Sequence, residues 1–357
     1  MQQGPALWLS STTTAQPPTE QDINLLRSAF GEFYGVNRDL DKSQALLTQT
    51  IDRWETTQQP SDEVAGLYRV RGDCYMQSRQ AVQAAADYDT AVTLLQSSPA
   101  VAAAADPAEL PAALLGRARA TKSQQLDTPA KAQRTAADYL AALKLSSREE
   151  WDSPQEMLED GASRNPYAAW EWADSLRAAG DLQQAALAHA LAASAFDSTG
   201  DRGRAVVSQI DAGIDLASVA TDKSSTDEAV AVLQKAIAQT RGVEARDVTL
   251  LQRIIGKESE GRMALAALLW TTGDRSTAET NLGEACIRLD QLQADAASRK
   301  DVVRTDPVAP LPFSIDDGSG VSPLDMSCPK FKNPTFLTNL GWSESLQKKV
   351  IKLETLR

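Results

Sequence analysis

One histidine, His189, three cysteines at 74, 286 and 328, and scattered carboxylates are the groups in this 357-residue chain that could do covalent or metal chemistry. A Ser-His-Asp or Cys-His relay would have to be built on that single imidazole. A zinc or other transition-metal site would need further histidines or a cysteine pair beside it. The cysteines are odd in number and far apart, which suits reduced structural thiols better than a disulfide framework or a zinc site. Asp39-Leu40-Asp41-Lys42-Ser43 opens like a calcium loop but lacks its glycine and closing glutamate. Gly318-Ser319-Gly320 runs into Val-Ser-Pro and not into a helix, so it is no phosphate cradle. Ile315-Asp316-Asp317 reads as a solvated turn, and proline blocks glycosylation at Asn333-Pro334-Thr335. The expectation is a chain with no catalytic, cofactor-binding or metal-ligating residues, and so not an enzyme.

Charge and composition narrow the partners. The net charge is -12, which disfavours phosphate backbones and anionic lipid as main partners. From Cys328 onward the chain carries about +4, leaving about -16 on the remainder. A basic tail on an acidic body can fold back on that body or reach an acidic partner. No apolar run is long enough to span a membrane, so peripheral association through a membrane complex is the only membrane contact expected. Residues 1–19 hold no charge and are rich in Ser, Thr, Gln and Pro, the composition of a disordered start or of a processed organelle-targeting remnant.

The elements that would position any binding surface are helical. Period-3.6 apolar patterns recur from Thr19 to about Lys300 without a convincing strand. Alanine is abundant and aromatics are only 5%, so burial must come from close-packed helices. A helix opening at Thr19 carries Ile23, Leu26 and Phe30, and a second carries Leu40, Leu46, Leu47, Ile51 and Trp54; a further pair is expected near 62–77 and 80–96, then a loop over 99–111. A polar break follows at 147–165, in which Ser153-Pro154-Gln155-Glu156 reads as a helix start. Later helices are expected near 167–179, 182–198, 202–220, 226–240, 243–255, 258–272 and 277–298, with Ser225 to Glu228 as a further capping box. Proline crowds the chain after Lys300, which predicts an extended tail. A last amphipathic helix begins at Ser343, with Leu346, Val350, Leu353 and Trp342 on one face. So short a helix is marginal alone and must dock on something.

Small and aromatic residues fall at recurrent spacings. Ala85 to Leu94 matches Ala136 to Leu145, each with a small–aromatic–small stripe. Tyr68, Gly72, Tyr75, Ala84, Tyr88 and Ala91 form one copy. Further copies run through Ala173, Gly180-Asp181, Ala185, His189 and Ala192, then Ala193, Phe196, Gly200-Asp201, Ala205 and Ala212. Ala266, Leu269, Gly273-Asp274, Ala278, Leu282 and Ala285 make another. Over roughly residues 20–298 this pattern resembles tetratricopeptide repeats in degenerate form.

The resemblance implies an all-α, TPR-like α-α superhelix of paired helices, with residues 20–146 and 166–300 as repeat blocks, 147–165 as linker and 301–357 as an extended tail. It gives His189 the aromatic packing position of a second helix. It also implies that partners meet the outward faces of first helices, where Tyr167, Trp170, Asp174, Arg177, Arg69 and Arg117 stand, with Trp342, Lys348 and Lys349 offered by the tail. The Lys/Asn carboxylate clamp of some family members is absent. The implied function is a protein-binding scaffold or assembly factor. The alternative is a permanent subunit of a larger complex, including a plastid photosynthetic one, anchored by its tail. The combination of an uncharged start and an acidic repeat body is similar to organelle-imported TPR factors. It implies a soluble protein in a reducing compartment, chloroplast ahead of cytoplasm.

Overall fold

The computed structural model describes residues 16–36, 38–97, 99–124, 128–147, 151, 153–243, 248–299 and 321–353. Most of the segment 1–19, the turns around Ile315 and Gly318, and Pro307, Pro310 and Pro312 lie outside those residues. Among the described residues every regular element is helical, and consecutive helices pack in pairs. The fold is an all-α solenoid, in two compact units, Met1–Gln124 and Gln125–Arg357.

The first unit holds α1 (Glu20–Tyr34), α2 (Leu40–Thr56), α3 (Ser61–Gln77), α4 (Ala81–Leu95), the short α5 (Pro99–Ala104) and α6 (Glu109–Ser123). The expected loop over 99–111 is thus partly helical, as its alanine content favours. Phe33, Leu47, Ile51, Trp54, Leu67 and Val70 fill the first helix pairs. The Tyr88 ring of α4 lies against Gly72 of α3 and Gly116 of α6; a Cβ at those glycines would sit 2.9 Å and 2.3 Å from its Cε1. Only a residue without a side chain permits that approach.

The second unit begins with α7 (Pro129–Ser146), α8 (Pro154–Arg164), α9 (Pro166–Ala179) and α10 (Leu182–Ser198). It continues with α11 (Arg202–Val219), α12 (Lys223–Gln239), α13 (Val248–Thr272) and α14 (Arg275–Arg299). Three differences from expectation have physical causes. Helix α7 belongs with this unit, and 147–165 is no plain linker, because α8 packs on α7: a Cβ at Gly161 would lie 2.1 Å from the Leu143 carbonyl oxygen. The box expected at Ser225 is formed three residues earlier, where Asp222 and Ser225 cap each other's backbone. Helix α13 runs unbroken through Gly256, whose bare Cα admits Pro323 and Met326.

The Gly-Asp turns behave as their sequence suggests. Gly180, Gly200 and Gly273 have φ of +84°, +79° and +94°, the left-handed closure that glycine adopts without strain. The aspartate after each accepts from the third amide of the next helix: Asp181 from Gln184, Asp201 from Arg204, Asp274 from Thr277.

Residues 321–353 are not an extended tail. They form two short 3-10 turns (Pro323–Asp325 and Cys328–Lys332), α15 (Pro334–Asn339) and α16 (Glu344–Ile351), all folded onto the second unit. Met326, Phe331, Leu337, Leu340, Trp342, Leu346, Val350 and Leu353 join its main core. The amphipathic last helix docks in cis, on the face its sequence periodicity marks out.

Candidate functional site

In the second unit the first helices of successive pairs, α9, α11 and α13, turn charged side chains toward one another. Arg177 of α9 sits between two carboxylates of α11. Its Nε donates to Asp215 at 2.7 Å, and its terminal nitrogens donate to Asp211 at 3.1 Å and to the Asp211 carbonyl. Lys257 of α13 bridges Asp211 at 3.1 Å and Glu260 at 2.7 Å. His189 of α10 completes the set, with Nδ1 2.8 Å from Asp215 and Nε2 3.5 Å from Asp174, the second a long contact. All these side chains are buried: His189 and Asp215 are 0% and 1% exposed.

Burial in a low dielectric works against each charge, and the partners decide which survive. Burial opposes the Arg177 guanidinium, but Asp215 and Asp211 outweigh it and hold it charged well above its ordinary range. Burial also raises Asp211, yet Lys257 and Arg177 overcome this and keep it well below the usual carboxylate range. For His189, burial and Arg177 push the proton off; hydrogen bonds to Asp174 and Asp215 win, and the imidazole is shifted upward. Glu260 is the acid that burial does shift upward, despite Lys257.

The chain's own C-terminal segment closes this cluster. The Trp342 indole donates to Glu260 at 2.7 Å. Gly341, at φ +79°, lies so close to Arg177 that a Cβ there would be 2.8 Å from its Cδ. Ser343 donates from its hydroxyl to the Ser218 carbonyl at 2.9 Å, and Lys349 reaches the Ala220 carbonyl at 3.0 Å. Ala220 ends α11, so this lysine satisfies a terminal carbonyl and opposes the helix dipole. Chemically, the arrangement is a polar latch-plate inside an apolar interface: it orients a docked segment by directional bonds. Among the described residues no group of acids, histidine and cysteine is arranged to hold a metal ion.

Most residues expected to meet partners are engaged within the fold, Lys349 on the Ala220 carbonyl among them. Trp170, Asp174, Arg177 and Trp342 are inside, not on an exposed face. Trp170 lies edge-on to Phe196 of α10, and Arg177 is covered by Asp211 and Asp215 of α11 and by Gly341. Tyr167 is half-buried, edge-on to Phe196 with Arg204 over its ring, and Arg253 covers Trp170. Arg69 and Arg117 are engaged within the first unit, Arg69 by a fork on Glu109 and a bond to Asp73, and Arg117 by Asp89. Lys348 alone of the set is freely exposed, 74% by side chain, near Glu344.

Sequence reasoning passed over Asp211, Asp215, Lys257 and Glu260. Their signal was present: four charged residues at inward positions of otherwise apolar helices. It needed the helix partners to be interpretable.

The thiol expectation is corrected as well. Cys286 of α14 and Cys328 form a disulfide, Cα to Cα 5.3 Å, across 42 residues. Docking of the segment brings them together, which no spacing could reveal. Cys74 is the free, buried one, near Ser43.

These features define the class: an all-α helical-pair protein whose second unit holds its own C-terminal segment over a buried charge network. No family model matches the chain, and no curated protein does. Among solved structures it is similar to the crystal structure of BtubC (BKLC) from P. vanneervenii, at 16% identity and a TM-score of 0.45, covering 78% of this chain and 99% of that one. At that level the likeness carries no argument about function. Among the described residues no helix is long and apolar enough to cross a membrane.

Proposed function

We propose that this chain is a protein-binding scaffold or assembly factor of the TPR-like kind, working through the faces of its first helices. One observation carries the reading: in the second unit that face already holds a 33-residue segment, 321–353, by apolar anchors and a few directional bonds. A surface that seats a peptide-like segment of its own chain has the chemistry to seat one from another protein. The same observation weakens the tail-anchored subunit alternative, since the anchor is occupied in cis. The chloroplast-before-cytoplasm destination is part of the proposal. Within it, the disulfide favours a compartment where thiols oxidise over a reducing one.

The test is a native pull-down with mass spectrometry, using the full chain and a Trp342→Ala/Leu346→Ala variant that loosens the seated segment. A small set of stoichiometric partners is expected, with the variant retaining more of any protein that competes for the face. If neither form retains a specific protein at low salt, the scaffold reading fails.

A further inference from the structure

The C-terminal segment is held unevenly along its length. From Leu337 to Leu353 it is seated by six buried apolar side chains and by the Trp342, Ser343 and Lys349 bonds. From Val321 to Lys332 fewer side chains are seated: Met326 and Phe331 are buried, Phe331 against the Phe336 and Trp342 rings, Gln293 donates to the Met326 carbonyl at 2.6 Å, Pro323 rests on Gly256, and Val321 packs at the core's edge. The disulfide is placed in this weaker part, between α14 and the first residue of the second 3-10 turn.

We propose that the Cys286–Cys328 disulfide is a redox latch that pins residues 321–332 to α13 and α14 and, once reduced, lets that stretch open while Trp342 and α16 remain seated. Its two cysteines are unequally buried. Cys328 is buried, whereas Cys286 is only partly so. An incoming thiolate therefore meets Cys286 first, forming a mixed disulfide there and expelling Cys328 as the thiolate. A second thiol of the same reductant then attacks the mixed disulfide and releases Cys286. The reductant, a dithiol, leaves as its own disulfide, and the two protein sulfurs end as thiols with the two protons the dithiol supplied.

Loss of a cross-link spanning 42 residues raises the open fraction of the stretch it pins by roughly a hundred- to a thousand-fold. Six anchors on the later half withstand such a factor; two on the earlier half do not. Reduction should therefore bare the α13 surface around Gly256 without discharging the whole segment.

The latch concerns the segment itself and needs no partner, so its failure would leave the binding proposal standing. Hydrogen exchange with mass spectrometry on the full chain, before and after treatment with a dithiol, tests it. The Met326 and Lys330 amides are expected to exchange about a hundred-fold faster or more after reduction, with α16 little changed. Cys328→Ser in the untreated protein should reproduce the effect. Equal rates in both redox states would overturn the latch. So would alkylation of all three cysteines in unfolded, untreated protein, which would mean that no bond existed. Acceleration spread equally through α12 and α16 would make the bond a general staple and also defeat the proposal.

Discussion

Asp215 carries two duties at once: it accepts from the Arg177 guanidinium and from the His189 imidazole. Removing a partner from such a group leaves charge buried and unpaired. Arg177→Met is therefore expected to cost about 3–5 kcal/mol in denaturant unfolding of the second unit, and Trp342→Phe, which strips the indole donor from Glu260, about 1–3 kcal/mol. The His189 proton gives a pH signature. Its affinity for that proton is raised on folding, so its contribution is complete below its unfolded pKa and is lost as pH rises through the folded value. The melting temperature should fall as pH rises above about 6.5, with Asp174, Asp215 and Arg177 the facing charges, and His189→Gln should flatten that slope. Asp211, shifted downward, contributes stability that is lost only in acid. At this scale the sequence was half legible. His189 is buried in α10, as a packing role requires, but the carboxylates that make its surroundings polar arrive from α9 and α11, and pairing them with it needed the helix partners.

The helices themselves were easier to read, because apolar period, Gly-Asp turns and N-caps all agree. Errors fall where a local signal served a distant contact. Gly256 looks like a break in α13 and is instead the seat of Pro323 and Met326; the polar run before α8 looks like a linker, and Gly161 against Leu143 explains why it packs. Glycine substitutions separate such roles. Gly116→Ala should destabilise the first unit by about 1–3 kcal/mol, because its Cβ would meet the Tyr88 ring. Gly283→Ala, in α14 with nothing within 4 Å of the new atom, should stabilise by about 0.5–1 kcal/mol. Thermal or urea unfolding of both variants checks the contrast.

For the whole chain, the charge division left a basic tail free to fold back on the acidic body or to reach an acidic partner. The described contacts are mostly apolar: Lys349 caps α11, while Lys348 stands in solvent. Protection of the α16 amides should thus be nearly unchanged between about 0.05 and 0.5 M salt, a range over which exposed charge pairs are strongly screened. A chain ending at Arg299 should bind an apolar dye and lose its cooperative melt. Eight large side chains, each worth about 2 kcal/mol when buried, would leave the second unit together with their partners' cover. The docked segment was legible as an amphipathic helix that must pack on something. Its destination was not, since α11 and α13 lie more than a hundred residues earlier and about eighty residues earlier in the chain.

The cross-link between α14 and Cys328 also has a mechanical meaning. If the chain is pulled from its two ends, the 42-residue stretch between the joined cysteines lies off the line of force and cannot pay out. At about 3.3–3.6 Å per extended residue, roughly 140–150 Å of contour is withheld from a fully stretched oxidised molecule. It returns as a discrete added length once the bond is cut.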